Sequence, residues 1–247
     1  MNKNSKVVAI IQARMGSTRL PGKVLKDIEG KTVLSRVVNR LRGTRLIDEL
    51  LIATSDQRAD DAIVEECERC LVPVFRGDEN DVLDRYFHAA QACEGDVVVR
   101  ITSDCPLIDC EITAKTIREF VDECPDYASN ALVRTYPRGL DTEVMSGQAL
   151  ERAWRNATQP YQRAHVTPYI YQNPDEFKIL RVTGEADYSN HRWTLDTTED
   201  LEFIRAIYAR LKNPDDFDWH DVLEILDQEP ELMGMNRLVM QKALHEG

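Results

Sequence analysis

Three cations, Arg14, Arg19 and Lys23, fall within ten residues of the stretch IIQARMGSTRLPGKVL (10–25), in a chain whose formal net charge is −12. Set among Gly16, Ser17, Pro21 and Gly22, they combine side-chain charge with accessible backbone N–H groups, the pairing that cradles phosphate oxygens. The Walker A loop is the obvious comparison, and it fails by count. That pattern places four residues between its glycines and a Ser or Thr after its lysine. Here five residues separate Gly16 from Gly22, and Val24 follows Lys23, so no hydroxyl is placed for Mg²⁺. A GxGxxG pattern is absent as well. The competing reading is a solvated basic loop that caps a helix.

Carboxylates supply a second half. Asp104 in RITSDCPLID and Asp196 in HRWTLDTTEDL each follow a short strand-like run, which would bring both to strand carboxyl ends near one crevice. Mg²⁺ is ordinarily held by one or two protein carboxylates together with substrate phosphate oxygens, and this pair would suit it. Simpler roles stay open: a helix N-cap for Asp196 and an Asx turn before Pro106 for Asp104. Asp141 and Glu143 in GLDTEV form a D-x-E pair that rivals them as metal ligands. Together with His165, His191 and Arg192, these two also form a set of polar residues beside turns and strand ends that could read an acceptor. Against that role stand an exposed strand face for the carboxylates and a helix-surface position for His165.

These residues need elements to position them. KVVAIIQA is a β-branched apolar run too short for a typical helix, and turn residues follow it, so it reads as a buried strand. KTVLSRVVNRLRG places Val33, Leu34, Val37, Val38 and Leu41 on one helical face and closes with Gly43. ELLIAT, VPVF and GDVVVRIT read as further strands, separated by helices over 58–70 and in DVLDRYFHAAQAC. That alternation implies a parallel sheet covered on both faces, with ligands at the strand carboxyl ends. Beyond Cys124 the rhythm changes to short extended pieces joined by the PRG turn, then helices over 147–156 and 161–171 and a strand in FKILRV. HRWTLDTTEDLEFIRAIYARL follows as a short strand and a helix with a capping-box pattern at Thr198, Glu199 and Asp200. We expect one domain over 1–247, with a less regular insertion at about 125–190 and a tail of two short amphipathic helices over about 214–247.

Composition bounds the function. With 43% hydrophobic residues, 247 residues can bury a sizeable core. No run of about 18 apolar residues suggests a membrane span, and MNKNSKVVAI lacks the apolar segment of a secretory signal, so the cytoplasm is expected. Six cysteines are too sparse for a disulfide scaffold, and the CxxC of Cys67 and Cys70 sits late in a helix without further metal ligands, so free thiols are expected. The acidic balance argues against a nucleic-acid surface, while a small anionic ligand needs only local positive charge.

The stretch QARMGSTRLPGK, with SDCPLID and RWTLDTTEDL downstream, resembles the nucleotidyltransferases typified by CMP-Kdo synthetase and CMP-sialic acid synthetase. The SpsF-like branch, of the spore coat polysaccharide type, also shows segments similar to FRGDENDVLDRYFHAA, PRGLDTEV and HVTPYIYQNP, over about 7–211. The resemblance implies an α/β, Rossmann-like (GT-A-like) fold, CMP transfer from CTP to a small anionic acceptor, a Mg²⁺ requirement and a homodimer. It matches Arg14 and Lys23 to triphosphate-binding cations and Asp104 and Asp196 to metal-binding aspartates. Arg19 lies in the same motif. Ala13, Gly16, Ser17, Thr18, Ser103 and, more loosely, Arg85 fall at nucleotide-lining positions. A metal-dependent glycosyltransferase and a non-catalytic nucleotide-binding regulator remain as rivals. The first is disfavoured because so many loop cations are unnecessary for a diphosphate sugar, and the second by the presence of both aspartates.

Overall fold

In the computed structural model, which describes residues 5–242, the run after Lys6 forms a buried strand, β1 (Val7–Gln12). The basic loop and a 3-10 turn (Lys23–Leu25) lead to a small hairpin, β2 (Asp27–Ile28) and β3 (Lys31–Thr32), and then to α1 (Val33–Arg42). Thr32 caps α1 by accepting from Ser35 N at 3.0 Å, and Gly43 ends it. The expected alternation continues through β4 (Glu49–Ser55), α2 (Asp61–Arg69), β5 (Val74–Gly77), α3 (Val82–Ala92), β6 (Val97–Thr102) and α4 (Cys110–Glu123).

β1 pairs in parallel with β4 and β6, and β4 with β5. The later strands β7 (Tyr127–Ser129), β8 (Glu143–Ser146) and β9 (Ile179–Arg181) join the same seven-stranded sheet, whose order is β5-β4-β1-β6-β8-β7-β9. β8 runs antiparallel to β6 and β7, while β7 and β9 are parallel. The fold is therefore α/β and Rossmann-like, a mostly parallel sheet with helices on both faces. Period-two alternation in β1 decides the faces. Ala9 and Ile11 pack under α1, α2 and α4, whereas Val8 and Ile10 pack under α3 and α5 (Gly147–Asn156). Burying one such Val or Ile contributes about 1.5–3 kcal/mol, and β1 is apolar from Val7 to Ile11 because both of its faces are covered.

The helix expected over 161–171 is instead two pieces, α6 (Pro160–His165) and α7 (Pro168–Tyr171). Val166 between them has φ +72°, which ends α6, and Pro168, lacking an N–H, opens α7. α8 (Thr198–Tyr208) begins one residue earlier in its capping box than expected: Thr197 is the N-cap, with Asp200 closing the reciprocal bond. The tail holds α9 (Trp219–Gln228) and a 3-10 turn (Pro230–Gly234), where two helices were expected, and residues 243–247 of that expectation lie outside the described residues. α8 and α9 enclose a third apolar cluster around Trp193 and Leu195. Among the described residues no helix is long and apolar enough to cross a membrane. None of the six cysteines is in a disulfide, and burial pushes Cys67 up to about 12, so it carries no thiolate at neutral pH.

From β1 the chain crosses through α1 to β4 on one side, while β6 lies on the other. The carboxyl ends of β1 and β6 therefore flank the point where the winding of the sheet reverses, which is where α/β sheets bind ligands.

Candidate active site

The basic loop leaves β1 and folds back on Met15. The Met15 carbonyl accepts from Ser17 N at 2.8 Å and Gly22 N at 3.0 Å, and its N–H donates to Asp60 Oδ1 at 2.7 Å. Gly22 closes the loop at φ +66°, a left-handed conformation that glycine adopts without steric cost, and Lys23 opens the 3-10 turn. Asp60, only 2% exposed, also accepts from Ser55 N at 3.2 Å and from the Ser55 hydroxyl at the end of β4. This anchor was not legible in the sequence, because its partner lies 45 residues away.

Lys23 reaches the two aspartates. Its Nζ donates to Asp104 Oδ2 at 2.7 Å, Asp196 Oδ1 at 2.9 Å and the Leu195 carbonyl at 2.8 Å. Asp104 follows β6, and its carbonyl accepts from Leu195 N at 2.8 Å, which stitches the segment bearing Asp196 onto the strand end. Asp196 Oδ2 receives Arg19 and Arg192, each at 2.9 Å. Burial alone would lower Lys23, but the charges of Asp104 and Asp196 overcome it and hold the ammonium above its ordinary value. Burial opposes ionisation of Asp104 too, yet the Lys23 charge and hydrogen bond pull the carboxyl down to about 2. Asp196 is lowered in the same way, burial being outweighed by Lys23 despite the nearby Asp104 charge.

Two carboxylates thus converge on one cation position, filled by an ammonium. Among the described residues no group of three or more His, Cys, Asp or Glu side chains could cage a metal. A pair of carboxylates is still the donor set that Mg²⁺ accepts when substrate phosphates and water complete its shell, so the residues fit. Asp141 and Glu143 do not converge in this way. Arg134 holds Asp141 through two bonds at 2.5 and 2.8 Å, while Glu143 is taken by Arg100, Tyr127 and Thr167.

A cavity of about 410 Å³ opens over this cluster. Ala13, Arg14, Ser17, Thr18, Arg19, Lys23, Arg85, Ser103, Asp104 and Asp196, all singled out in the sequence, line it. Gly16 is not among the lining residues; a Cβ there would lie 3.4 Å from Oε1 of Glu79, which does line the cavity. Arg85 is 2% exposed, and its Nε is buried without a hydrogen-bond partner among the described residues. Burial holds its guanidinium below the ordinary value, so the site carries a cation short of partners. The tail adds a wall that the sequence did not announce: Arg19 donates to the Met240 carbonyl at 3.0 Å, and Lys242 Nζ lies 3.2 Å from Thr18 Oγ1.

Thr102, at the end of β6, lines both this cavity and a neighbouring one of about 320 Å³. Asp141, Glu143 and His165, three of the expected acceptor residues, line the second cavity together with Arg100 and Arg138. His191 and Arg192 fall elsewhere, in a cavity of about 640 Å³ under the tail. There Arg192 is committed to Asp196, Asp200 and Gln241, and burial pushes His191 below its ordinary value.

Comparison with known proteins agrees with this geometry. The family model described as "Cytidylyltransferase" matches residues 8–225. An uncharacterised protein of Methanocaldococcus jannaschii is 38% identical over 246 residues, covering 98% of each chain. The spore coat polysaccharide biosynthesis protein SpsF of Bacillus subtilis is 34% identical over 232 residues, covering 91% of this chain and 95% of its own. A solved cytidylyltransferase from Leptospira borgpetersenii superposes with a TM-score of 0.90 at 33% identity, over 96% of this chain and 100% of that one.

Proposed function

The chain belongs to the cytidylyltransferase family, and we propose that it transfers CMP from CTP to a small anionic acceptor, releasing pyrophosphate in a Mg²⁺-dependent reaction. The observation that carries this reading is the convergence of the loop cations with Asp104 and Asp196 beside the carboxyl ends of β1 and β6. The name of the Bacillus subtilis relative supports a place in polysaccharide biosynthesis. A CTP-consuming enzyme works where nucleoside triphosphates are made, so the reading includes a cytoplasmic location. It also includes the homodimer implied by resemblance, which sedimentation of the purified chain would test.

The residues divide the work by position. Arg14, Arg19 and Lys23 bind and orient the triphosphate from the loop, with Ala13, Ser17 and Thr18 along its wall. Arg85 and Ser103 close the remaining sides of the cavity, and Thr102 marks the passage through which the acceptor meets the nucleotide. An acceptor oxygen, either a phosphate oxyanion or a hydroxyl that releases its proton to solvent, forms a bond to the α-phosphorus. The bond to the bridging oxygen breaks, and that oxygen keeps the electron pair and leaves with pyrophosphate. Negative charge therefore grows on the leaving oxygens, where fixed cations stabilise the transition state more than the ground state. A divalent ion held by Asp104 and Asp196 would supply further charge neutralisation and polarise the phosphoryl group.

The deciding experiment measures pyrophosphate release from CTP with sugar acids, sugar phosphates and neutral sugars as acceptors, with Mg²⁺ and with chelator. Release that depends on an anionic acceptor and on Mg²⁺ is expected. Consumption of a preformed nucleotide sugar, or CTP binding without any release, would overturn the reading in favour of a glycosyltransferase or a regulator.

A further inference from the structure

The cavity beside the nucleotide site is lined by two arginines, Arg100 and Arg138, and Asp141 on its wall is held by a third, Arg134. Arg100 is paired with Glu143 and also holds Gln12 Oε1 at 2.9 and 3.2 Å. Arg134 grips both oxygens of Asp141. Arg138, half-buried, stands between two cavities, lining this one and also the one under the tail beside His191 and Arg192, and among the described residues its guanidinium has no hydrogen bond or ion pair. Asp141 is near enough to be felt by Arg138, but it is already engaged. A desolvated arginine without a counter-ion is costly to keep unless a ligand completes it.

The fold fixes Arg138 with care. Its N–H donates to the His191 carbonyl at 3.0 Å, and its own carbonyl accepts from Trp193 N at 2.7 Å. Gly139 follows at φ +114°, with its backbone pressed so closely on Trp193 and Thr194 that a Cβ there would sit 2.6 Å from the Trp193 carbonyl carbon. The segment that clamps Arg138 is the one that ends at Asp196. From Trp193 to Asp196 the chain can span at most about 11 Å, a separation that a monosaccharide-sized acceptor can bridge.

We propose that Arg138 is the acceptor-recognition residue, its guanidinium receiving the carboxylate or phosphate group of the acceptor and so selecting anionic over neutral acceptors. The proposal rests on the cytidylyltransferase reading. Burial and the neighbouring Arg134 charge hold the Arg138 guanidinium below its ordinary value, a penalty that an incoming anion reverses. Its side chain makes no structural bond in the described residues, so Arg138→Gln leaves the fold intact.

The test uses ¹⁵N-labelled protein loaded with CTP and Mg²⁺, following the Arg138 Nε–Hε resonance, assigned by its loss in Arg138→Gln, during titration with acetate and with inorganic phosphate. A saturable shift with at least one anion is expected, and the anion with the larger response identifies the acceptor group as carboxylate or phosphate. No response to either anion, in protein whose other resonances respond to CTP, overturns this assignment alone. No response to CTP anywhere overturns the cytidylyltransferase reading and this proposal with it. In steady-state assays with a turned-over anionic acceptor, Arg138→Gln raises the acceptor KM by about tenfold or more, Arg138→Lys recovers part of that loss, and the KM for CTP is unchanged. An unaltered acceptor KM, or preference for a neutral acceptor, overturns it.

Discussion

Lys23 bonded to both Asp104 and Asp196 is the smallest unit whose chemistry can be tested. Lys23→Ala and Asp104→Asn should each lower the rate of CMP transfer by at least about tenfold, the loss typical of one charge-stabilising group. Pyrophosphate-release assays on folded variants check this. The cluster also sets an acid limit on stability. Asp104 is held at about 2 against an ordinary 3.8, a depressed carboxyl whose contribution is complete above its unfolded value. That contribution is lost as pH falls from about 4 towards 2, and Asp104→Asn should flatten this part of a denaturation profile. Asp60 makes a different prediction. Its replacement by Ala leaves buried donors at Met15 and Ser55 unpaired, costing about 1–3 kcal/mol and loosening the loop, so a lower Tm and a higher KM for CTP should appear together. The loop cations were legible because they are contiguous in sequence. Asp60, Arg100 and Arg138 were not, because each acquires its role from partners that the chain brings near only after folding.

Elements transmit those roles. The strand–helix alternation from β1 to α4 could be read from periodicity, since β-branched buried strands and one-sided helices carry strong local patterns. The half after Cys124 was harder to read. β7, β8 and β9 are three or four residues long, too short for a periodic signal, yet they extend the main sheet and carry Glu143 to the cavity beside Thr102. α6 and α7 were read as one helix, and the break at Val166 comes from φ +72° ahead of Pro168. The PRG turn was read correctly as a turn, but what it packs against was not evident. Gly139→Ala should destabilise the protein by about 1–3 kcal/mol, because a Cβ at φ +114° would collide with the Trp193 backbone. Urea denaturation at constant m-value measures that cost, and a displaced Arg138 should raise the acceptor KM in the same variant.

At the scale of the whole molecule, a net charge of −12 coexists with a cation-rich cavity because Arg14, Arg19, Lys23, Arg85 and Lys242 line one cavity with three carboxylates, Glu79, Asp104 and Asp196. Selective binding there should stabilise the native state. At CTP concentrations about a hundredfold above Kd, with Mg²⁺, the gain is about 2.7 kcal/mol, which a thermal-shift comparison of the four nucleoside triphosphates would resolve as a larger shift for CTP. By itself the sequence determined the α/β class and picked out the basic loop after β1 and the two aspartates, because these depend on short-range patterns and on residue types written in order. Only the tertiary structure decided that Lys23 bridges those aspartates. It also decided that Asp141 and Glu143 are held by arginines, that His191 and Arg192 line a different cavity from these two, and that Arg138, which lines both, has no side-chain partner among the described residues. Such facts belong to pairs of side chains distant in sequence, and sheet order and backbone packing, not local propensity, set which pairs meet.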